Sequence, residues 1–243
     1  MRRGEVWWRP PSGRRLLLVG SAVLAIAGAA GAQEFAGWGK AVNAESLPES
    51  SSQLNTSAND GCPILDPGTN DLYMASNRRG GHGGLDIWIA PWKGNGWGAP
   101  VNAGGVINTA ADEFCPDPIR GGGLFFVRRS SSTNTDIYFT RRVAGGFWKG
   151  PQRLATGSDA INSPAEEWSP SYFQAGGHEW LYFSSTREGR QRIYYSMDFG
   201  PAQLAPGGVN SSAADARPNV RSDGLEIVFA RRHLGPAEDQ LCP

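Results

Sequence analysis

Cysteine and histidine are scarce in this chain, with three of each in 243 residues. Cys62, Cys115 and Cys242 form no Cys-x-x-Cys pair, which leaves a zinc or dithiol redox site without support. His82, His178 and His233 are scattered, with no metal-ligand spacing. No nucleophile elbow or triad spacing is present. Helical periodicity is missing after the first 32 residues. An excess of one charge is missing too: 23 basic residues face 23 acidic ones. No basic patch stands out, which excludes nucleic acid as an expected partner.

The N-terminus has a different character. Arg2, Arg3, Arg9, Arg14 and Arg15 precede an apolar stretch from Leu16 to Ala29, and Ala30-Gly31-Ala32 supplies small residues for cleavage. Residues 1–32 therefore read as a bacterial-type signal peptide, and the location expected is periplasmic or secreted. The apolar stretch is short for a membrane span. Arg14-Arg15 does not distinguish the general from the twin-arginine route. Removing five Arg and one Glu with this segment leaves a formal charge of −4. In an exported chain a disulfide is chemically allowed. Cys62 and Cys115 occupy the same repeat position, but equivalent strands of neighbouring units can lie too far apart for a bridge. Two small buried thiols are expected.

What the chain has in abundance is repetition. Leu54-Asn55-Thr56, Ile107-Asn108-Thr109, Ile161-Asn162-Ser163 and Val209-Asn210-Ser211 share one phrase. Each is followed by acidic residues and then by a proline eight positions after the Asn: Pro63, Pro116, Pro170 and Pro218. A period of about 50 residues marks an architecture of stacked supersecondary units. Each unit contains runs such as Leu72-Tyr73-Met74-Ala75, Leu124-Phe125-Phe126-Val127 and Asp86-Ile87-Trp88-Ile89 between Gly, Pro and Asn punctuation, which read as strands. A further short segment opens with an aromatic residue: Trp97-Gly98, Trp148-Lys149 and Phe199-Gly200.

Four antiparallel strands per unit is the blade of a β-propeller. The expected fold is all-β, with about four four-stranded blades over residues 59–110, 111–164, 165–212 and 213–232. Residues 33–58 form an N-terminal segment in which 38–43 match the fourth strand of the next unit, a spare outer strand. The last unit supplies only two strands, and residues 233–243 read as an irregular tail with no Asp-Ile-aromatic counterpart. The ring is therefore expected to be open or truncated, with an edge at 224–231 that invites self-association. Trp88 and Tyr138, at equivalent positions, are expected between blades.

Ser76-Asn77-Arg78-Arg79-Gly80-Gly81-His82-Gly83-Gly84-Leu85-Asp86-Ile87-Trp88 resembles the core motif of TolB-like, WD-type β-propeller repeats, as do Glu167-Trp168-Ser169-Pro170 and Ser222-Asp223-Gly224. The resemblance covers roughly residues 35–232. It departs at Arg192, where the motif has Asp. It implies an envelope-associated protein that binds proteins, peptidoglycan-linked partners or glycans without catalysis.

Asp60, Asp112, Glu113, Glu166, Glu167 and Asp215 precede the repeat prolines. If the first strands line a channel, these carboxylates meet at its mouth, where they could hold calcium or a basic segment of a partner. The competing reading is that each caps a turn in its own blade, and repetition in every unit favours it. Arg78, Arg128, Arg187 and Arg231 would form a sialidase-like cluster only by pointing inward. A bridging role at the strand ends suits them better. Gly80–Gly84 joins two strands with no helix behind it, so it reads as a flexible hairpin rather than a phosphate loop. The function expected is a non-enzymatic binding scaffold for an envelope protein or glycan. A carbohydrate-active enzyme and a remnant of a longer propeller are the alternatives. An enzyme of that kind needs an organised acid pair.

Overall fold

The computed structural model describes residues 39–131 and 134–232. The signal segment, Cys242, His233 and the tail 233–243 lie outside them. Four antiparallel sheets follow one another along the chain. The first contains β1 (Asp60–Leu65), β2 (Leu72–Ser76), β3 (Asp86–Ala90) and β4 (Val101–Asn102). The second contains β5 (Asp112–Ile119), β6 (Gly123–Ser131), β7 (Asn134–Arg141) and β8 (Gln152–Arg153). The third contains β9 (Glu167–Ala175), β10 (His178–Ser185), β11 (Arg192–Met197) and β12 (Gln203–Leu204). The fourth has two strands, β13 (Ala214–Val220) and β14 (Ile227–Arg232). Every sheet is a meander, and the first strands β1, β5, β9 and β13 are consecutive neighbours. This is an all-β, incompletely closed propeller, as the repeat count implied.

The turns explain the hairpins. Between β9 and β10, Gly176 and Gly177 both take left-handed φ values of 62° and 81°, which suits a two-residue turn matched to strand twist. Between β1 and β2, the Asp66 carboxylate accepts from the amides of Gly68 and Thr69 at 2.7 and 3.2 Å. The fourth strands are shorter than expected and begin after the aromatic residues. Only two residues pair in each, and Pro100, Pro151 and Pro201, which have no amide hydrogen to give to a ladder, lie between the aromatic and the strand.

Apolar residues of adjacent sheets interlock. Tyr73 and Ile87 of the first sheet meet Leu124 and Phe126 of the second, with Ile107 between them. Phe125, Val127 and Ile137 meet Leu181, Phe183 and Tyr194 of the third. Burial of each such side chain contributes roughly 1.5–3 kcal/mol.

Three expectations require correction. Residues 39–43 form no strand among the described residues; Asn43 instead caps a 3-10 turn, Ala44–Ser46, accepting from the Glu45 amide. Trp88 is buried, but not between blades. It packs with Leu54, Met74 and Ala90 on the face of the first blade away from the second, while half-buried Tyr138 does sit between two blades. The glycine loop is an inter-blade contact rather than a loose hairpin. A Cβ on Gly83 would meet the carbonyl oxygens of Thr109 and Ala111 at 2.4 and 2.6 Å, so only glycine permits that approach.

Candidate functional site

The repeated phrase builds the same structure in each blade. The Thr or Ser after the Asn offers both its amide and its hydroxyl to the acid four residues on. Thr109 binds Glu113 at 2.7 and 2.6 Å, Ser163 binds Glu167 at 2.9 and 2.5 Å, and the Thr56–Asp60 and Ser211–Asp215 pairs repeat the pattern. The strand-end Arg then closes the box. Arg78, Arg128, Arg187 and Arg231 bind Asp60, Glu113, Glu167 and Asp215. Each also donates to the carbonyl before the repeat Asn, at 3.0, 2.8, 2.8 and 2.9 Å. Removing one partner would strand a buried charge, the costly case for an ion pair.

The Asn itself reaches backwards. Asn108 accepts from the Ile87 amide and donates to the Ile87 carbonyl, at 2.8 and 2.9 Å, so it latches onto the third strand of the preceding blade. Asn162 does the same to Ile137, and Asn210 to Ile193.

Asp60, Glu113, Glu167 and Asp215 are therefore held within their own blades, as the capping alternative anticipated. Asp112 accepts from the Leu85 amide at 2.8 Å and pairs with Arg129 at 3.0 Å. The Glu166 amide donates to the Thr186 hydroxyl at 3.1 Å, and the Glu166 carbonyl accepts from the Thr186 amide at 3.1 Å. Burial opposes ionisation of Asp60 and Asp215, but the hydrogen bonds from Ser76, Arg78 and Thr56, and from Arg231 and Ser211, outweigh it and hold both carboxyls below the ordinary value. For Glu167 burial wins, and its carboxyl is raised in spite of Ser163, Ser185 and Arg187. The four box arginines make no inward cluster. Among the described residues no group of three or more His, Cys, Asp or Glu side chains is placed to hold a metal ion. Asp86 accepts from the His82 amide and from Asn102, which makes it a loop anchor.

A cavity of about 600 Å³ lies where the first strands of all four blades meet. Ile64, Asp117, Ser171, Tyr172, Asn219 and Arg221 line it. The first strands reach inward because each carries a bulge at the residue before the repeat proline. Cys62, Cys115, Ser169 and Arg217 all have left-handed φ, between 45° and 56°, and the ladder register slips there in every blade. Such bulges re-aim side chains. Here they bring Cys62 and Cys115 together as a disulfide with Cα atoms 4.9 Å apart, inside the bonding range. The expectation of two buried thiols is thus overturned: the bulge, which flat strands would lack, closes the distance. Ser169 continues the line, its hydroxyl donating to the Cys115 sulfur at 3.6 Å.

Asp117 is the cavity's distinctive group. It is 5% exposed and accepts from the Tyr172 amide at 2.7 Å. Burial pushes its carboxyl up to about 8, against that one bond, so it carries a proton at neutral pH. Tyr172 donates its hydroxyl to Glu179 at 2.7 Å; burial and then that carboxylate raise the phenol well above its usual value. Ser171 accepts from the Val220 amide at 2.9 Å. The lining thus offers the protonated Asp117, the Ser171 hydroxyl, the Asn219 amide and the Arg221 guanidinium beside apolar side chains such as Ile64. Sequence reasoning missed Asp117, Ser171 and Asn219. Their signal was the position directly after the repeat proline, occupied by Ile64, Asp117, Ser171 and Asn219: it changes from blade to blade while the proline before it repeats.

No family model and no curated protein matches this chain. Similarity to solved structures includes a TolB protein from Agrobacterium tumefaciens, at 21% identity over 72% of this chain and 55% of that one, with a TM-score of 0.49. It includes a thermostable family-43 glycoside hydrolase, at 16% identity over 70% and 64%, TM-score 0.46. It also includes an endo-arabinase from Bacteroides thetaiotaomicron, at 17% identity over 70% and 68%, TM-score 0.48. The chain spans 55% of the length of the first and 64% of the second.

Proposed function

We propose that this chain is an exported binding scaffold whose central cavity receives a polar group of a cell-envelope protein or glycan. The observation that carries the reading is the composition of that cavity. Hydrogen-bonding groups from three blades, Asp117, Ser171, Asn219 and Arg221, converge there, while the acids and arginines of the repeat are spent on holding the blades. A volume of about 600 Å³ falls in the range of small-ligand sites. The Cys62–Cys115 bridge and the small residues before Gln33 support an oxidising, extracytoplasmic location. N-terminal sequencing of the mature protein should begin at or near Gln33. Among the described residues no helix is long and apolar enough to cross a membrane.

A second reading, a carbohydrate-active enzyme, rests on Asp117, since a carboxyl protonated at neutral pH is suited to act as a general acid. Titration calorimetry with soluble peptidoglycan fragments and neutral oligosaccharides, combined with a reducing-end assay, separates the two. Binding without release of reducing ends supports the scaffold. Release of reducing ends that is abolished by Asp117→Asn supports the enzyme. Absence of binding at millimolar concentrations removes glycans from the reading and leaves protein partners.

A further inference from the structure

Charge is balanced over the whole chain but not locally. Residues 137–158 hold Arg141, Arg142, Lys149 and Arg153 and no acid, a basic patch that the overall count conceals. Arg153 pairs with Asp136. Arg141, Arg142 and Lys149 are exposed and pair with no carboxylate among the described residues, and the same holds for Arg120 on the adjoining turn. The Arg142 amide donates to Gly122 of that turn at 2.8 Å, which sets the two basic turns side by side. The cations flank a hairpin with an apolar tip. Arg142 bridges to Trp148, the Val143 amide donates to the Phe147 carbonyl at 2.8 Å, and the Gly146 amide donates to the Val143 carbonyl at 3.0 Å. The Arg142 guanidinium braces the hairpin: it lies 4.2 Å from the Trp148 ring centroid and donates to the Gly146 carbonyl at 2.8 Å. Phe147 is 72% exposed and Val143 44%. A groove of about 460 Å³ runs from Phe147 to Val101 and Val106 of the first blade, themselves 64% and 49% exposed, and Arg142 is its one charged lining residue among those described. The loops between second and third strands at 77–84 and 186–191 contain no large apolar residue, so this exposure is local.

We infer that this rim of the first two blades docks on the surface of an anionic lipid bilayer, with the hairpin tip entering the interface. Charge complementarity selects an anionic partner: four cations without carboxylate partners stand on two adjoining turns. The apolar tip selects among anionic partners. A soluble polyanion such as nucleic acid would satisfy the cations and leave Phe147 and Val143 in water. A bilayer of anionic lipids sets phosphates directly above an apolar phase, which matches cations beside an exposed aromatic residue. Half-buried Trp148, apolar in body and carrying one N–H, suits the headgroup level between them. The side chains of Arg141 and Lys149 can reach outward to phosphates while the tip sinks. The central cavity shares no lining residue with this groove, so the two surfaces act separately.

The test is co-sedimentation of the exported, processed protein with vesicles of phosphatidylglycerol and phosphatidylcholine in equal parts, against vesicles of phosphatidylcholine alone. Hydrogen exchange over residues 142–148 is read in parallel. The protein should partition onto the anionic vesicles, less so as salt is raised, and exchange in the hairpin should slow. Arg141→Gln combined with Lys149→Gln should weaken partition about fivefold for each charge removed. Phe147→Ser should weaken it roughly tenfold. All three side chains are exposed, so both variants should keep the parent Tm. Equal partition onto neutral vesicles, no partition onto anionic ones, unchanged exchange at 142–148, or full partition of both variants would overturn the assignment. So would binding of duplex DNA or polyglutamate as tight as that of vesicles and indifferent to Phe147→Ser, since the patch would then read charge alone. The hairpin lies outside the cavity, so a failed search for cavity ligands does not bear on this result.

Discussion

Replacing Asp117 by Asn should make the protein more tolerant of alkaline conditions. The side chain is buried, its one hydrogen bond comes from the Tyr172 amide, and its carboxyl is raised from an ordinary 3.8 to about 8. Between these values the unfolded chain has released the proton and the folded chain retains it. The native state then binds more protons than the unfolded state, so stability falls as pH rises through this window. It levels off above about 8, once both states are ionised. The slope is roughly 1.4 kcal/mol per pH unit, and over the whole window the loss is on the order of 5 kcal/mol. Asparagine keeps an acceptor for the Tyr172 amide and cannot ionise. Urea denaturation of both proteins at pH 4.5, 6 and 8 gives the difference directly, and it isolates Asp117 because Glu167, also raised, titrates in both. The variant should gain on the parent by several kcal/mol between the lowest and highest pH. Parallel stability curves would show that Asp117 ionises freely in the fold, and the case for a protonated acid in the cavity would fall with it. The lowered carboxyls of Asp60 and Asp215 act in the opposite sense and at lower pH: their stabilisation is present above the unfolded value near 3.8 and is lost as pH drops through their folded values.

Asn162→Ala should cost about 1–3 kcal/mol, since it orphans the buried amide of Ile137 and removes one of the two donors to its carbonyl, the other being the Leu154 amide; an unchanged urea midpoint would refute the latch. Gly83→Ala should cost about 1–3 kcal/mol by forcing a methyl group against two carbonyl oxygens of the next blade, which thermal unfolding would register as a lower Tm. Trp88→Ala should cost about 3–5 kcal/mol through loss of packing against Leu54 and Met74, and a neutral result by denaturant titration would mean that this face of the first blade is not closed off.

The phase of the repeat and the identity of most strands were legible because aromatic and β-branched runs alternate with turn residues on a fixed period. The partners of the repeated Asn, acid and Arg were not, since a hydrogen bond across 15 to 25 positions leaves no local periodicity. The Asn was taken for punctuation although it binds the blade behind it. The disulfide was misjudged for a related reason. Cα separation depends on backbone φ at one residue, and Cys62 and Cys115 adopt a left-handed conformation that a residue before proline rarely takes. The acids at 60, 113, 167 and 215 drew attention as a site because they repeat, yet their repetition signalled scaffolding. Asp117, unique to its blade, escaped notice between two prolines.

The backward reach of the Asn has a consequence for how the chain is made. The Ile87 amide donates to a residue 21 positions later, the Ile137 amide to one 25 positions later, and the Ile193 amide to one 17 positions later. As the polypeptide emerges from the ribosome, the newest blade holds exposed backbone groups until the start of its successor appears. Assembly is then vectorial, each unit templating and being completed by the next, and a pause in synthesis at a blade boundary would leave a sticky intermediate whose third strand still lacks its Asn.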